Sequence, residues 1–166
     1  EGPSTKEETG PRKGWNAHGR GGTWGVTTPF PQPPPPMRAT TLVKNILGIK
    51  STRVIDVRFE ADGLVCEVEP ATTIPRCGGC GCKVRRVYDR RAQPRQWRHL
   101  DVGGMMAHLE YRMRRVDCRR CGVTSELVPW ASHNSWFTDA FEQTVGYLAQ
   151  ATSKSVVSAM MRVAWT

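Results

Sequence analysis

Two short cysteine turns constrain this chain more than any other feature of its sequence. They read Cys77-Gly78-Gly79-Cys80-Gly81 and Cys118-Arg119-Arg120-Cys121-Gly122, so each has the form Cys-x-x-Cys-Gly. In such a turn two thiolates can bind one metal ion, and the glycine provides a backbone corner with positive φ. Two half-sites of this kind make a tetrahedral four-thiolate site, which is typical of structural zinc. The pattern predicts a Zn²⁺ site with the ligands Cys77, Cys80, Cys118 and Cys121.

Other uses of the six cysteines agree less well with the sequence. Disulfides are typical of secreted proteins, but the charged, Gly/Pro-rich N-terminus has no apolar segment of the kind found in signal peptides. A redox Cys-x-x-Cys needs one pair beside a βαβ pattern, whereas this chain has two pairs and no such pattern. Cys82 forms a Cys-x-Cys with Cys80 and is a spare that can substitute as a ligand. Cys66 lies in a strand-like run, where we expect a small buried residue.

The positive charge of the chain is concentrated around the cysteine turns. The chain has a net charge of +9, and all of this excess lies between Arg76 and Arg120, while the remaining charges cancel. A dense basic segment indicates nucleic acid or another polyanion as the partner, and the alternative is a solvated surface of a basic protein. We expect Arg112 and Arg114 to lie on the exposed face of a strand, where arginines can bind successive phosphates. The predicted nucleic-acid contacts are Arg85, Arg86, Arg90, Arg91, Arg98, Arg112, Arg114, Arg119 and Arg120.

The sequence predicts an α+β fold in four segments. Residues 1–36 hold seven glycines and eight prolines without hydrophobic periodicity, so we expect a disordered leader and suspect that Met37 is the natural start. Residues 37–70 contain a short helix over Thr40 to Gly48, with a threonine as N-cap candidate, and then a β-hairpin that turns at Asp62-Gly63. Residues 71–130 form a small β-rich zinc-ribbon domain. Residues 131–166 form a helical segment.

A second hairpin is predicted inside the zinc-ribbon segment. Its strands are Arg95 to Leu100 and Met105 to Val116, and the second strand alternates cleanly between apolar and polar side chains. We expect this hairpin to lead into the second cysteine turn and so to bring the two half-sites together. Trp97 is more typical of a core residue than of a base-stacking one. With four cysteines available, the three histidines near the turns are expected to be packing or surface residues: His99, His108 and His133.

Two helices are predicted after the cysteine turns. Thr138 is the N-cap candidate of the first, which runs through Gln150 with an apolar stripe, and Thr152-Ser153 separate it from the second, Lys154 to Arg162. Two short helices joined by a tight turn begin a helix-turn-helix, and a plain αα-hairpin fits the periodicity at least as well. We therefore expect an incomplete helix-turn-helix.

Together, several motifs in order resemble one protein family. They are Cys-x-x-Cys-Gly, Arg90-Arg91, Trp97 to Gly104, Arg115 to Gly122, Val128-Pro129-Trp130-Ala131 and Phe137 to Glu142. From about Met37 onward the chain resembles the N-terminal part of bacterial insertion-sequence transposases of the ISL-three family. The resemblance implies a zinc-binding module, then a helix-turn-helix, then a catalytic domain that holds divalent metal with acidic residues. Cys77, Cys80, Cys118 and Cys121 match the family's zinc ligands, and no residue here matches the catalytic carboxylates.

The resemblance therefore implies a truncated transposase that binds DNA and is not itself an enzyme. Its expected partner is DNA at the terminal inverted repeats of an insertion sequence, with no membrane and no small-molecule substrate, and self-association is left open. No apolar run is long enough to cross a bilayer, so we expect a cytoplasmic protein. The alternative is a free-standing zinc ribbon that binds RNA or a protein partner. An independent enzyme is poorly supported, because four thiolates leave zinc no open coordination position.

Overall fold

A computed structural model describes residues 38–164, so the predicted leader 1–36 and the suspected start at Met37 lie outside the described residues. In chain order the elements are α1 (Ala39–Leu47), β1 (Thr52–Glu60), β2 (Gly63–Pro70), β3 (Arg76–Cys77), β4 (Val87–Arg90), β5 (Arg95–Val102), β6 (Met105–Tyr111), β7 (Arg114–Cys118), β8 (Gly122–Leu127), α2 (Asp139–Ala151) and α3 (Lys154–Met161). The predicted α+β class, with a β-rich zinc ribbon followed by helices, is confirmed.

The first sheet joins two hairpins side by side in the order β1-β2-β6-β5. Both predicted hairpins form, and the first turns at Asp62-Gly63 with Glu60 paired to Gly63. The inner strands β2 and β6 then run parallel, with Cys66 opposite Leu109. Strands from both sides of residue 70 share this sheet, because β6 pairs with β2 of the N-terminal hairpin as well as with β5.

Three aromatic side chains hold the core of the first sheet together. The Trp130 ring meets Trp97 and Tyr111 edge-on, each at a centroid distance of 5.6 Å. Trp97 is 1% exposed, so its prediction as a core residue is confirmed. Edge-to-face pairs of this kind stabilise a core beyond the area that they bury. Helix α1 covers the same core through Leu47.

The second sheet carries the cysteine turns and has the order β3-β8-β7-β4. The strand predicted from Met105 to Val116 is in fact two strands, because the chain leaves the first sheet at Arg112-Met113 and starts again as β7 in the second. The pairs β7–β8 and β4–β7 are both antiparallel. The hairpin that carries the second cysteine turn is therefore β7–β8, and not the predicted β5–β6 hairpin.

The core of the second sheet is very small. Its buried cluster consists of Cys77, Val84, Val116 and Cys118, with Cys82 packed against it. Only two of these residues, Val84 and Val116, are aliphatic. So little apolar surface contributes little to stability, which indicates that this sheet depends on another source of stabilisation.

The helices begin and end close to their predicted residues. Thr138 caps α2 and accepts a hydrogen bond from the backbone N–H of Phe141, as predicted, and Ser153 is the N-cap of α3. The N-cap predicted for α1 is wrong, because that position is Arg38 and both threonines lie inside the first turn. Gly48 ends α1 at φ +63°, a conformation that glycine adopts without strain. None of the helices in the described part of the chain is both long enough and apolar enough to span a membrane.

His99 links both helical regions to the first sheet. Its Nε2 lies 3.0 Å from the carbonyl oxygen of Leu47, and its Nδ1 lies 2.9 Å from Thr138 Oγ1. The ring is buried, and this burial lowers the pKa of His99. It is a packing residue, as expected, and it holds α1 and the start of α2 against β5.

Candidate metal centre and basic surface

Four cysteine thiols lie together at one end of the second sheet. The sulfur atoms of Cys77, Cys80, Cys118 and Cys121 all lie within 4.8 Å of one another. Four sulfur atoms that each lie about 2.3 Å from one zinc ion would be about 3.8 Å from one another. A small inward movement of the four sulfur atoms therefore makes a tetrahedral site. Four thiols with no oxygen donor are a soft ligand set that favours zinc over magnesium or calcium. Within residues 38–164, no histidine joins this cluster.

The backbone of the first turn brings its two thiols together. Cys77 ends strand β3, its N–H donates to the carbonyl of Cys82, and its own carbonyl accepts from the N–H of Gly81. Gly81 then turns the chain at φ +69°, the glycine corner that the sequence predicts. Gly78 leaves room for a neighbouring ring, because a Cβ at this position would lie 2.7 Å from His133. The carbonyl oxygen of Ser125 would lie closer still, at 2.6 Å, so a side chain at residue 78 would displace β8 as well as His133.

The second turn has matching geometry. Cys118 is the last residue of β7, and Gly122 at φ +70° starts β8. Cys118 is buried and Cys121 is exposed, just as Cys77 is buried and Cys80 is exposed. A Cβ at Gly79 would lie 3.2 Å from the sulfur of Cys121, so the two turns approach each other closely. Each turn thus places one thiol inside the sheet and one at its surface.

Hydrogen bonds from the backbone favour the thiolate form of two of these cysteines. The backbone N–H of Cys82, together with its thiol, lowers the pKa of Cys80 to about 6. The backbone N–H groups of Arg120 and Cys121 likewise lower the pKa of Cys118. Hydrogen bonds with Cys80 and Cys77 raise the pKa of Cys121 to about 12, because crowded thiols resist full ionisation until a cation shares the charge. The thiolate is the form that binds metal.

Cys82 is a fifth thiol beside the cluster. Its sulfur lies 3.1 Å from that of Cys80 and 3.6 Å from that of Cys118. The distance from Cys80 to Cys118 is also 3.6 Å, so Cys82 stands as close to Cys118 as Cys80 does. Cys66 is buried in the first sheet, as expected, and belongs to the other core.

A basic groove lies next to the cysteine cluster. It has a volume of about 560 Å³ and is lined by Cys82, Cys118, one lysine, four arginines, Val84 and one aspartate. The only ion pair within these lining residues joins Arg86 to Asp117 at 3.4 Å. Five cations against one carboxylate give these side chains a net charge of +4, and the −2 of a zinc ion bound by four thiolates would still leave the region positive. The cations are Lys83, Arg85, Arg86, Arg119 and Arg120.

Seven of the nine predicted nucleic-acid contacts are exposed. They are Arg85, Arg86, Arg90, Arg91, Arg112, Arg119 and Arg120.

The other two arginines are buried and paired, so the expectation that they are available to nucleic acid is wrong. Arg98 packs inside the first sheet and donates to the carbonyl of His99 and to the carboxylate of Asp101. Arg114 does not lie on the exposed strand face that the sequence predicts for it. The break at Arg112-Met113 turns its side chain inward, where it pairs with Glu126.

Glu126 is a buried residue of this region whose role the sequence does not predict. It is 1% exposed and accepts hydrogen bonds from Tyr111, from the backbone of Arg114 and from the Arg114 guanidinium. Burial and the neighbouring Glu126 charge raise the pKa of Tyr111. Glu126 lies in β8, four residues after Gly122, and thereby ties the second sheet to the end of the first. Nothing in the local sequence distinguishes it from a surface glutamate.

The sheet and the cysteine cluster together define a zinc ribbon, in which strands hold two Cys-x-x-Cys turns around one ion. Residues 74–121 match the family model described as the zinc-finger of transposase IS204/IS1001/IS1096/IS1165. The chain is also 42% identical over 137 residues to the transposase for insertion sequence element IS1557 of two Mycobacterium tuberculosis strains, CDC 1551 / Oshkosh and ATCC 25618 / H37Rv. Over residues 74–121 this chain is thus similar to the zinc ribbon of ISL-three transposases, and the predicted resemblance and the Zn²⁺ cofactor are confirmed.

Each of these alignments covers a larger share of this chain than of the relative. The match to each IS1557 transposase takes in 78% of this chain but 31% of the relative's length. No solved structure matches the chain significantly.

Proposed function

We propose that Cys77, Cys80, Cys118 and Cys121 bind the zinc ion, and that the ribbon they fix binds DNA at the ends of an insertion sequence. The observation that carries this proposal is the unbalanced positive charge beside the cysteine cluster. Arginine is suited to phosphate because its planar guanidinium donates two parallel hydrogen bonds. The likeness to IS1557 transposases supports DNA over other polyanions.

In this proposal zinc has a structural role and the described residues perform no bond-breaking step. Four thiolates fill the coordination of the ion, so zinc supplies geometry and no open catalytic position. The arginines fix the register of the protein on the duplex by binding phosphates, which carry no sequence information. Helices α2 and α3, joined by Thr152-Ser153, would form the start of a helix-turn-helix that places a reading element on the terminal inverted repeats. Such a protein acts in the cytoplasm.

DNA binding is expected to depend steeply on salt. With ~6 bound phosphates, affinity for a duplex should fall about 10³-fold between 50 and 200 mM salt. Replacing Arg85, Arg86, Arg119 and Arg120 together by alanine should reduce the slope of log affinity against log salt by ~0.9 for each phosphate that the variant no longer binds. Fluorescence anisotropy with a terminal-repeat duplex and an unrelated duplex measures both quantities.

Arg53→Ala is the matched control, because Arg53 is an exposed arginine on the β1–β2 hairpin, paired with Glu69 at 3.1 Å. It should leave the salt slope unchanged. We expect little preference between the two duplexes for the described residues, since all sequences present the same phosphates. A fourfold arginine variant with the wild-type slope would refute the proposed surface. Preferential binding of RNA over both duplexes would favour the alternative of an RNA-binding ribbon.

Cys82 should replace Cys80 as a zinc ligand when Cys80 is mutated, but it should not replace Cys118. Because its sulfur is as close to Cys118 as that of Cys80, Cys80→Ser should retain about one zinc per chain, with weakened affinity. Cys80→Ser with Cys82→Ser should lose the metal, while Cys82→Ser alone should keep it. Zinc content by atomic emission and competition with a chromogenic chelator measure this. Complete loss of zinc in the Cys80→Ser variant would show that Cys82 does not replace it.

A further inference from the structure

A second basic groove lies at the other end of strand β4, beyond the cysteine cluster. It is lined by the end of β4, the following loop, the start of β5, Arg115 of β7 and the segment from Asn134 to Trp136. Its volume of about 1170 Å³ exceeds the ~300–1,000 Å³ of ordinary small-molecule pockets. A groove of this size suits a length of polymer better than a metabolite.

The charges in this groove are not balanced by the protein. Asp89, its only carboxylate, is bound by the guanidinium of Arg115 through two hydrogen bonds. That leaves Arg90, Arg91 and Arg95, none of which forms an ion pair with a carboxylate among residues 38–164, although the charge of Arg91 helps to lower the pKa of Asp89. The groove therefore has three unneutralised guanidinium groups, which is the pattern expected of a phosphate-binding surface.

Arg95 shows the absence of a counter-ion most clearly. Its Nε is buried and has no hydrogen-bond partner within the described residues, although Nη2 donates to the carbonyl of Ser135 at 2.6 Å. Burial and the nearby charge of Arg91 lower the pKa of Arg95. An unsatisfied buried donor costs free energy, and the rings of Trp97 and Trp136 flank this guanidinium in place of a carboxylate.

A tryptophan stands at the edge of the same groove. Trp136 is 67% exposed, and the guanidinium of Arg95 packs over its ring at 4.7 Å from the centroid. The backbone around it is fixed, because the Trp136 carbonyl accepts from Arg98 N–H at 2.9 Å and the Ser135 hydroxyl accepts from Phe137 N–H at 2.9 Å. The ring is thus held in place while most of its surface remains in water.

An exposed aromatic ring beside unpaired arginines is suited to an unpaired base. Inside a duplex both faces of each base are already stacked on neighbours, so an indole ring stacks best on an unpaired base that has left the helix. Base-aromatic stacking together with a groove of basic residues is the usual way to bind single strands. Asn134 and Gln93 also line the groove, and their amides can both donate to and accept from base edges.

We propose that this groove binds an unpaired stretch of the DNA strand, with a base stacked on Trp136 and its phosphates bound by Arg90, Arg91 and Arg95. This inference rests on the proposed function, because it names the form of DNA that the protein takes beside the zinc ribbon. The duplex is bound by the groove next to the cysteines, and the single-stranded extension is bound here.

The test compares a blunt duplex with the same duplex carrying a six-nucleotide thymidine overhang, using the zinc-loaded full chain. Wild-type protein should bind the overhang duplex more tightly than the blunt one. Trp136→Leu should lower affinity for the overhang duplex about 5- to 150-fold, the range that stacking of one base supports, and should leave the blunt duplex within about twofold. Trp136→Phe should keep most of the preference, because it keeps an aromatic face.

The control is Phe59→Ala, which removes another exposed aromatic side chain, on strand β1 away from both grooves. It should change neither affinity. If Trp136→Leu weakens both duplexes equally, or if the overhang adds nothing to wild-type binding, the inference fails while the proposed function stands. If wild-type protein binds neither duplex, or binds an oligouridine RNA in preference to both, the proposed function fails first.

Discussion

Replacement of Cys118 by serine should abolish zinc binding and unfold the second sheet while the first remains folded. Cys118 is buried at the end of β7, and its thiol is one of two inside the ribbon. The core there has only Val84 and Val116 besides the cysteines, so the sheet has little apolar burial to hold it without the ion. In zinc-finger peptides, structural zinc contributes about 10–16 kcal/mol of apparent binding free energy to folding.

The two sheets should respond differently, and hydrogen exchange can distinguish them. In the Cys118→Ser variant, or in wild-type protein treated with a chelator, amide protection should fall over residues 76–91 and 114–127. Protection in β1, β2, β5 and β6 should persist, because the core around Trp97 and Trp130 contains no zinc ligand. The near-ultraviolet circular dichroism of these tryptophans should persist as well.

Cys66→Ala is the control for the loss of a buried cysteine. Cys66 is fully buried in β2, in the first core, so this variant should keep one zinc per chain and lose only packing energy. Stoichiometric zinc in the Cys118→Ser variant, or simultaneous loss of protection in both sheets, would contradict this account of what zinc stabilises.

Glu126→Gln should destabilise the protein by about 3–5 kcal/mol, although Glu126 is not one of the four proposed zinc ligands. Glu126 accepts from Tyr111 Oη at 2.8 Å, from Arg114 N at 2.8 Å and from Arg114 Nη2 at 2.6 Å. Removal of the negative charge leaves the Arg114 guanidinium buried without a counter-ion, which is the costly way to break such a pair. Urea denaturation, followed by tryptophan fluorescence, measures the free energy of unfolding.

Two further variants separate the buried charge from a general effect of losing a glutamate. Glu60→Gln breaks an exposed pair with Arg58 and should change stability by less than about 1 kcal/mol. Arg114→Met combined with Glu126→Leu removes both charges and should recover much of the stability, because an apolar pair needs no compensation. A Glu126→Gln protein within about 1 kcal/mol of wild type would show that the pair is better solvated than its burial indicates.

Local patterns were sufficient for the elements whose partners are near in sequence. The two cysteine turns, the Asp62-Gly63 hairpin and the Thr138 cap all depend on residues a few positions apart, and the structure has each of them where the sequence predicts it. Their geometry is set by backbone conformation and short-range hydrogen bonds, which residue type largely determines. For the same reason the zinc cofactor and the resemblance to ISL-three transposases could be predicted from the sequence.

Contacts between residues far apart in the sequence determine which side chains form the basic surface. The alternation from Met105 to Val116 predicts strand, but it does not show that the chain changes sheets at Arg112-Met113 and turns Arg114 towards Glu126. Trp136 likewise has no local signal, because its position beside Arg95 depends on the segment after β8 crossing back to β5.

The sequence by itself determined the metal, the ligand candidates and the amount of positive charge. Only the tertiary structure decided which arginines face solvent, because hydrophobic periodicity identifies the two faces of a strand but not what covers each of them.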